Sequence, residues 1–260
     1  MSAPSSAPAE LGLERWAGID LDSLDAALQL RRRFESKFVV DLERLPKALG
    51  ALGSDLRVLE VAGRRSTAYT NIYFDTAGLR SYSDHLKGRR RRFKVRTRRY
   101  GEAAGWLLEL KCKGRLGETI KHRWSHPGAA PDVLGQAAEA LLRSALDEEY
   151  GFALPHGLAP VLTTRFERVT LVDLAAAERI TIDLGLGITA GQRRIDFGAG
   201  HAVLETKSPR PGGVAAAALV SSGLRADAVS KYCIGIAGLH GDVRGNPWLP
   251  VLRRMRAVGL

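Results

Sequence analysis

The sequence predicts an α+β fold, a single domain in which an antiparallel sheet of about eight strands is accompanied by helices. Three observations predict it. Short strand-like runs joined by turn residues follow one another along most of the chain. Segments of helical apolar spacing precede, interrupt and follow them. Basic residues recur at period two inside the strands, where a soluble sheet would ordinarily keep its charges sparse.

The elements read in order. Residues 1–10 are rich in Ala, Ser and Pro and predict a disordered tail. Residues 21–30 have the spacing of a short helix with an Asp cap before it. Residues 33–40 alternate charged and apolar side chains as a strand does. Asp41 can cap a helix over 42–52, with Pro46 tolerated near its first turn. Strands are expected at 68–74, 90–100, 105–113 and 118–124, with turns at Gly101 and at 114–117. A helix over 131–150 should stop at Gly151. Strands resume at 159–173, 179–188 and 200–207, and two short helices follow near 214–222 and 229–239. No repeat and no linker divides the chain. The expected boundaries are a tail with a short helix at 1–30, the domain at 31–240 and a second tail at 241–260.

Composition narrows the partner. Of 260 residues, 45% are hydrophobic and 26% charged, which suits a globular domain. Lys and Arg number 39 against 28 Asp and Glu, a net charge of +11, so a polyanion is expected: nucleic acid, anionic lipid, nucleotide or polyphosphate. Cys112 and Cys233 lack metal-ligand spacing and read as buried thiols in a reducing compartment, without zinc. No apolar run is long enough to span a bilayer, and the first ten residues lack the features of a secretory signal, so a cytoplasmic protein is expected.

The strand charges carry the functional argument. Arg92, Lys94, Arg96 and Arg98 share one face, as do Glu109, Lys111 and Lys113 on the next strand and Lys121 and Arg123 on the one after. Arg168, Arg179, Asp183, Glu205 and Lys207 continue the habit on later strands. An open sheet with this face in water is one arrangement. The other closes the sheet, turns the charges inward around a polyanion and covers the apolar outside with helices. A broad face of like charge repels itself unless screened, which favours closure as the number of such strands grows.

At this point a family resemblance enters. The motifs Arg33-Phe-Glu-Ser-Lys-Phe38, Asn71-Ile-Tyr-Phe-Asp-Thr76, Arg92-Phe-Lys-Val-Arg-Thr-Arg-Arg-Tyr100, Leu108-Glu-Leu-Lys111, Lys121-His-Arg123, Arg165-Phe-Glu-Arg168, Arg179-Ile-Thr-Ile-Asp183, Val203-Leu-Glu-Thr-Lys207 and Ser230-Lys-Tyr-Cys-Ile-Gly235 resemble, in order, those of VTC (vacuolar transporter chaperone) polyphosphate polymerase domains. These belong to the CYTH or triphosphate tunnel metalloenzyme superfamily. The resemblance implies a closed antiparallel barrel forming a triphosphate tunnel. It also implies a divalent metal, Mn²⁺ or Mg²⁺, and transfer of the ATP γ-phosphate to inorganic polyphosphate. The candidate catalytic residues are Lys37, Arg96, Arg98, Lys111, Lys121, Arg168, Glu205 and Lys231. The phosphate-binding set shares these cations and adds Arg123, Arg179 and Lys207. Glu205 is the candidate metal ligand, while Glu35, Glu109 and Asp183 are expected to orient cations.

One departure from the hydrolytic relatives is informative. Their Glu-x-Glu-x-Lys strand reads Arg33, Glu35 and Lys37 here, so one carboxylate is exchanged for a cation. That weakens a two-metal hydrolase. His85, His122 and His126 are expected at turns or on the surface, not as general bases, and Arg89, Arg90, Arg91 and Arg99 as solvent-facing or as a basic rim. Tyr73 and Phe74 read as packing, and Asp75-Thr76 as a turn or cap. The competing functions are a tripolyphosphate or nucleoside triphosphate hydrolase and a non-catalytic polyphosphate-binding module. Nucleic acid is disfavoured, because aromatics do not interleave with the strand arginines and no recognition helix is evident. The expected partners are ATP, ADP and polyphosphate, and a membrane partner protein could receive the product.

Overall fold

Eight strands close into a ring in the computed structural model of the chain, which describes residues 11–28, 32–102, 104–197 and 200–256. The expected tail at 1–10 and residues 29–30 of the expected first helix lie outside the described residues. In chain order the strands are β1 (Ala17–Ile19), β2 (Arg32–Asp41), β3 (Arg57–Leu59), β4 (Thr67–Asp75), β5 (Phe93–Tyr100), β6 (Leu107–Lys113), β7 (Thr119–Ser125), β8 (Ala159–Asp173), β9 (Glu178–Ala190), β10 (Arg193–Asp196) and β11 (His201–Ser208). The helices are α1 (Leu21–Ala27), α2 (Leu45–Gly50), α3 (Arg80–Leu86), α4 (Gln136–Tyr150), α5 (Val214–Ser221), α6 (Lys231–Leu239) and α7 (Leu249–Arg256).

The ring runs β8-β4-β5-β6-β7-β2-β11-β9, and β9 pairs back to β8. Every neighbouring pair in it is antiparallel. The closed barrel expected from the sequence is therefore the observed architecture. Three short strands, β1, β3 and β10, extend the sheet outside the ring; β1 and β3 run parallel, and β3 joins β8. The expected 42–52 helix is a 3₁₀ turn (Leu42–Arg44) running into α2.

Alternation decides which way each strand faces. On β6, Leu108, Leu110 and Cys112 point outward and are buried under α4 with Val95 and Phe93 of β5. A buried Leu or Val side chain contributes about 1.5–3 kcal/mol here. The helix presents Ala138, Leu142, Ala145 and Leu146 to that wall and ends where Gly151, at φ +64°, donates its N–H to the Asp147 carbonyl. A second wall, with Phe38, Val40, Val169, Leu171, Ile180, Ile182 and Leu204, is covered by α2, α5 and the Trp16 segment. The opposite face of each strand has only the interior to point into. Cys112 and Cys233 are both buried and free, and burial, with Glu149 nearby, pushes the Cys112 thiol up to about 12.

The helix α6 behaves differently from a cover. Leu162 pairs with Tyr73 across β8 and β4, and directly paired residues share a sheet face. Tyr73 reaches the interior guanidinium of Arg96, so Leu162 also points inward. A Cβ on Gly235 would lie 2.9 Å from a Leu162 methyl and 2.8 Å from an Ile188 methyl, so any larger residue at that crossing would force these side chains to shift. Thus α6 fills the β8–β9–β11 side of one end of the barrel, packed on Val39, Leu162, Leu186, Ile188 and Val203, and the cavity continues past its N-cap Ser230 between Gly88, Lys94, Lys113 and Ala226. The chain beyond Gly241 packs on this end through Trp248, Val251, Leu252 and Met255, and α7 occupies the region read from sequence as a tail. Among the described residues no helix is long and apolar enough to cross a membrane.

Candidate active site

All the candidate residues line one cavity of about 1250 Å³ inside the barrel. β5 supplies Arg96 and Arg98, β6 Lys111, β7 Lys121 and Arg123, β2 Lys37, β8 Arg168, β9 Arg179 and β11 Glu205 and Lys207. Lys231 enters from the first residue of α6. Period two places these side chains inward from seven strands, and closure brings them together.

Three carboxylate centres organise the cations. Glu109 is wholly buried at the first. Its Oε2 accepts from Arg96 Nε at 2.8 Å and Nη2 at 2.5 Å, and Arg98 lies 3.9 Å away. Its Oε1 accepts from Lys121 and Arg123, each at 3.2 Å. Burial alone would raise the Glu109 pKa, but Arg96, Arg98, Lys121 and Arg123 together hold it well below the usual carboxylate range.

At the second centre Asp183 receives a two-pronged bond from Arg168, at 2.5 and 2.7 Å, and a bond from Lys231. These two cations outweigh burial and bring the Asp183 pKa down to about 2.

The third centre spans β2 and β11, where Lys37 pairs with Glu205 and Glu35 with Lys207. Glu35 meets Arg33 at 3.0 Å and Lys37 at 3.1 Å. Glu205 lies 3.6 Å from Lys207 and 3.9 Å from Lys37. Despite burial, Lys207, Lys37 and Lys111 keep Glu205 well below the usual carboxylate pKa. Its Oε1 is buried and accepts no hydrogen bond, with the Lys37 ammonium 3.9 Å away. The expected orienting role of Glu35, Glu109 and Asp183 matches these contacts.

Aromatic rings fix the guanidinium planes. Arg98 lies 4.9 Å over Tyr69, and Arg168 lies 4.7 Å over the same ring. Tyr73 had read as packing from sequence. It also packs on Tyr232, yet its hydroxyl accepts from Arg96 at 3.1 Å. Its inward orientation was encoded in the alternation Asn71, Tyr73, Asp75. Arg92, Lys94 and Lys113 line the cavity as well, and Lys94 shares a strand face with Arg96 that the sequence displayed. Of the histidines, His122 bonds Glu149 from the outside of β7. His126 sits in a turn, bonded to the Ala130 carbonyl. His85 lies on α3 at the cavity edge, where burial, Lys94 and Arg92 hold it neutral, with a pKa near 2.

Crowding has a measurable consequence. Burial, reinforced by Arg123, Arg33 and Arg98 against Glu109, pushes Lys121 down to about 7. Burial likewise brings Lys207 to about 7. A phosphate chain brings negative charge beside both and raises their pKa values, so binding takes up protons. Lys121 and Lys207 together should take up roughly one proton at about pH 7, and their share vanishes near pH 5 where both are already charged. Affinity should accordingly fall as pH rises through 7 and above. Calorimetric titration of tripolyphosphate in buffers of differing ionisation enthalpy measures it, and zero uptake near neutrality would contradict the assignment.

Residues 32–240 match the VTC domain family model. No curated protein matches the sequence. Similar solved structures include a putative adenylyl cyclase from Hippeastrum, described as having a dominant triphosphatase activity. It is 16% identical, with a TM-score of 0.44 over 79% of this chain and 96% of that one. A putative adenylate cyclase from Bacillus halodurans is 14% identical, with a TM-score of 0.47 over 76% of this chain and 93% of that one.

Proposed function

Because the chain belongs to the VTC domain family, we propose that it is a polyphosphate polymerase, transferring the ATP γ-phosphate to the end of a polyphosphate chain inside the basic barrel. One observation carries the reading. Fourteen Lys and Arg side chains line a single cavity against five carboxylates, and including Glu109 and Asp183 behind them leaves the cations ahead two to one. Such a surplus in a confined space is stabilised by a bound polyanion.

Phosphoryl transfer asks the protein for alignment and charge neutralisation more than for covalent chemistry. Arg96, Arg98 and Arg168 are held rigid by carboxylates and rings, so their forks meet phosphate oxygens without reorganisation. Lys37, Lys111, Lys207 and Lys231 place compact charges around the same space, and Arg123 and Arg179 extend it toward Tyr100. The acceptor is an ionised phosphate and needs no strong base, which agrees with a His85 that cannot take up a proton near neutrality.

The residues present fit a divalent cation. Among the described residues no cluster of three or more His, Cys, Asp or Glu exists that could cage a metal. Glu205, with its free buried oxygen, and Glu35 on the neighbouring strand can hold Mg²⁺ or Mn²⁺ whose remaining positions are filled by phosphate oxygens and water. Such an ion supplies neutralisation of charge developing on the transferring group. Arg33 stands beside Glu35 where a further carboxylate would favour a second metal and water activation.

Incubating the protein with ATP and Mn²⁺ and resolving the products tests the proposal. ADP together with long polymer is expected. Orthophosphate without polymer would make it a hydrolase, and binding without turnover would make it a polyphosphate-binding module.

A further inference from the structure

Cations along the cavity are compensated unevenly. In the middle, Glu109, Asp183, Glu35 and Glu205 serve every strand cation with an ion pair. Toward Tyr100, Arg123 shares Glu109 and Arg179 lies 3.7 Å from Asp25. The opposite end, which α6 fills only on its β8–β9–β11 side, is different. There Lys94 donates to the Ser230 hydroxyl at 3.0 Å, and Arg92 donates to the Arg89 carbonyl at 2.5 Å. Among the described residues neither these two nor Lys113 forms an ion pair with a carboxylate, although all three line the cavity.

The charge continues outside. Between α3 and β5 the loop at 87–92 carries Lys87, Arg89, Arg90 and Arg91, all exposed and without an acidic partner among the described residues. Gly88, at φ +62°, turns the chain off α3 and itself lines the cavity edge. The Arg89 N–H binds the Asp84 carbonyl and the Arg92 N–H the Arg90 carbonyl, so the loop is held in shape before any ligand arrives. An unbroken series of unpaired cations thus leads from Lys94 through Arg92 to the exterior.

We propose that this end is the port through which a polyphosphate chain extends from the cavity, and that the 87–92 loop is an exterior polyanion-binding site favouring long chains over short ones. The inference rests on the cavity binding polyphosphate. A chain too long for the barrel must leave it, and leaves where the protein supplies positive charge that its own carboxylates do not cancel. Tripolyphosphate is short enough to be held by the interior, whereas a long polymer meets the loop as well and gains the second contact at high effective concentration.

The test compares two dissociation constants, for tripolyphosphate and for long-chain polyphosphate, and takes their ratio. Wild type is compared with Arg89→Ser/Arg90→Ser/Arg91→Ser and with a control, Arg57→Ser/Arg143→Ser/Arg165→Ser, which removes equal charge from exposed sites elsewhere. The long-chain advantage is expected to fall at least about fivefold in the loop variant and to stay within about twofold in the control. The salt dependence of long-chain binding should also flatten, its slope falling by about 2 for three lost contacts on a flexible single-stranded polyanion. An unchanged ratio in the loop variant, or an equal fall in the control, overturns the port. So does loss of single-stranded RNA binding with polyphosphate binding intact, since the loop would then serve another polymer. Wild-type protein that binds neither phosphate overturns the reading of the cavity itself, a result distinct from the others.

Discussion

Exchanging Glu205 for Gln is expected to lower polymer synthesis by at least about 100-fold while leaving polyphosphate affinity within about threefold. Two features make the effects separate. Glu205 offers the buried oxygen that no hydrogen bond engages, so removing its charge removes the ligand proposed above for a divalent cation. Yet it is also a negative charge among cations, 3.6 Å from Lys207 and 3.9 Å from Lys37, and a polyanion gains slightly when that charge goes. Glutamine keeps the volume and one acceptor oxygen, so the β2–β11 pairing persists. Initial rates with ATP, beside a direct binding titration, measure both halves. A variant within tenfold of wild-type turnover would remove Glu205 from the metal role, and a collapse in affinity would make it a structural residue.

The second large effect concerns stability. Removing the fully buried Glu109 carboxylate by substitution with Ala strips the common partner from the buried Arg96 and Arg98, the largely buried Lys121 and the more exposed Arg123. Breaking a buried pair by deleting one member typically costs about 3–5 kcal/mol, because the abandoned charges stay buried. A fall in Tm of about 6–20 °C follows for a chain of this size. Tripolyphosphate should restore more of the loss in the variant than it adds to wild type, since its oxygens take up the same donors. Thermal melts with and without tripolyphosphate test this, and Glu109→Gln provides the measurement if the alanine variant does not fold. A loss below about 1 kcal/mol would mean that water already serves those cations.

The sequence displayed much of this site and less of what surrounds it. Strands β5, β6 and β7 announced themselves because charged and apolar residues alternate without interruption, and alternation specifies a face. The same rule placed Arg168 on β8 and Glu205 on β11, and the inward direction followed once the ring closed. The alternation alone could not choose between an open and a closed sheet; β8 and β9 form a local hairpin, but closure also needs the β4–β8, β2–β7 and β2–β11 pairings, which join segments far apart in the sequence and have no local signature. The role of α6 was hidden for a related reason. Tyr232, Ile234 and Ile236 read as apolar helix residues whether they lie on a barrel or within its end, and only the close approach of Gly235 to Leu162 and Ile188 distinguishes the two. β1, β3 and β10 span 3, 3 and 4 residues, too few for a period to register. Tyr73 was read by its residue type, as packing, although its strand parity already set it beside Arg96.

The docking of α6 ties robustness to reactivity. The stopper that seats itself on Leu162 and Ile188 also delivers the Lys231 ammonium to Asp183, so one rigid body serves both duties. A tilt of this helix on Leu162 and Ile188 would also move the ammonium relative to Asp183. Efforts to harden the protein against heat should begin on the outer shell under α4, where Leu108, Leu110, Leu142 and Leu146 pack away from the cavity cations.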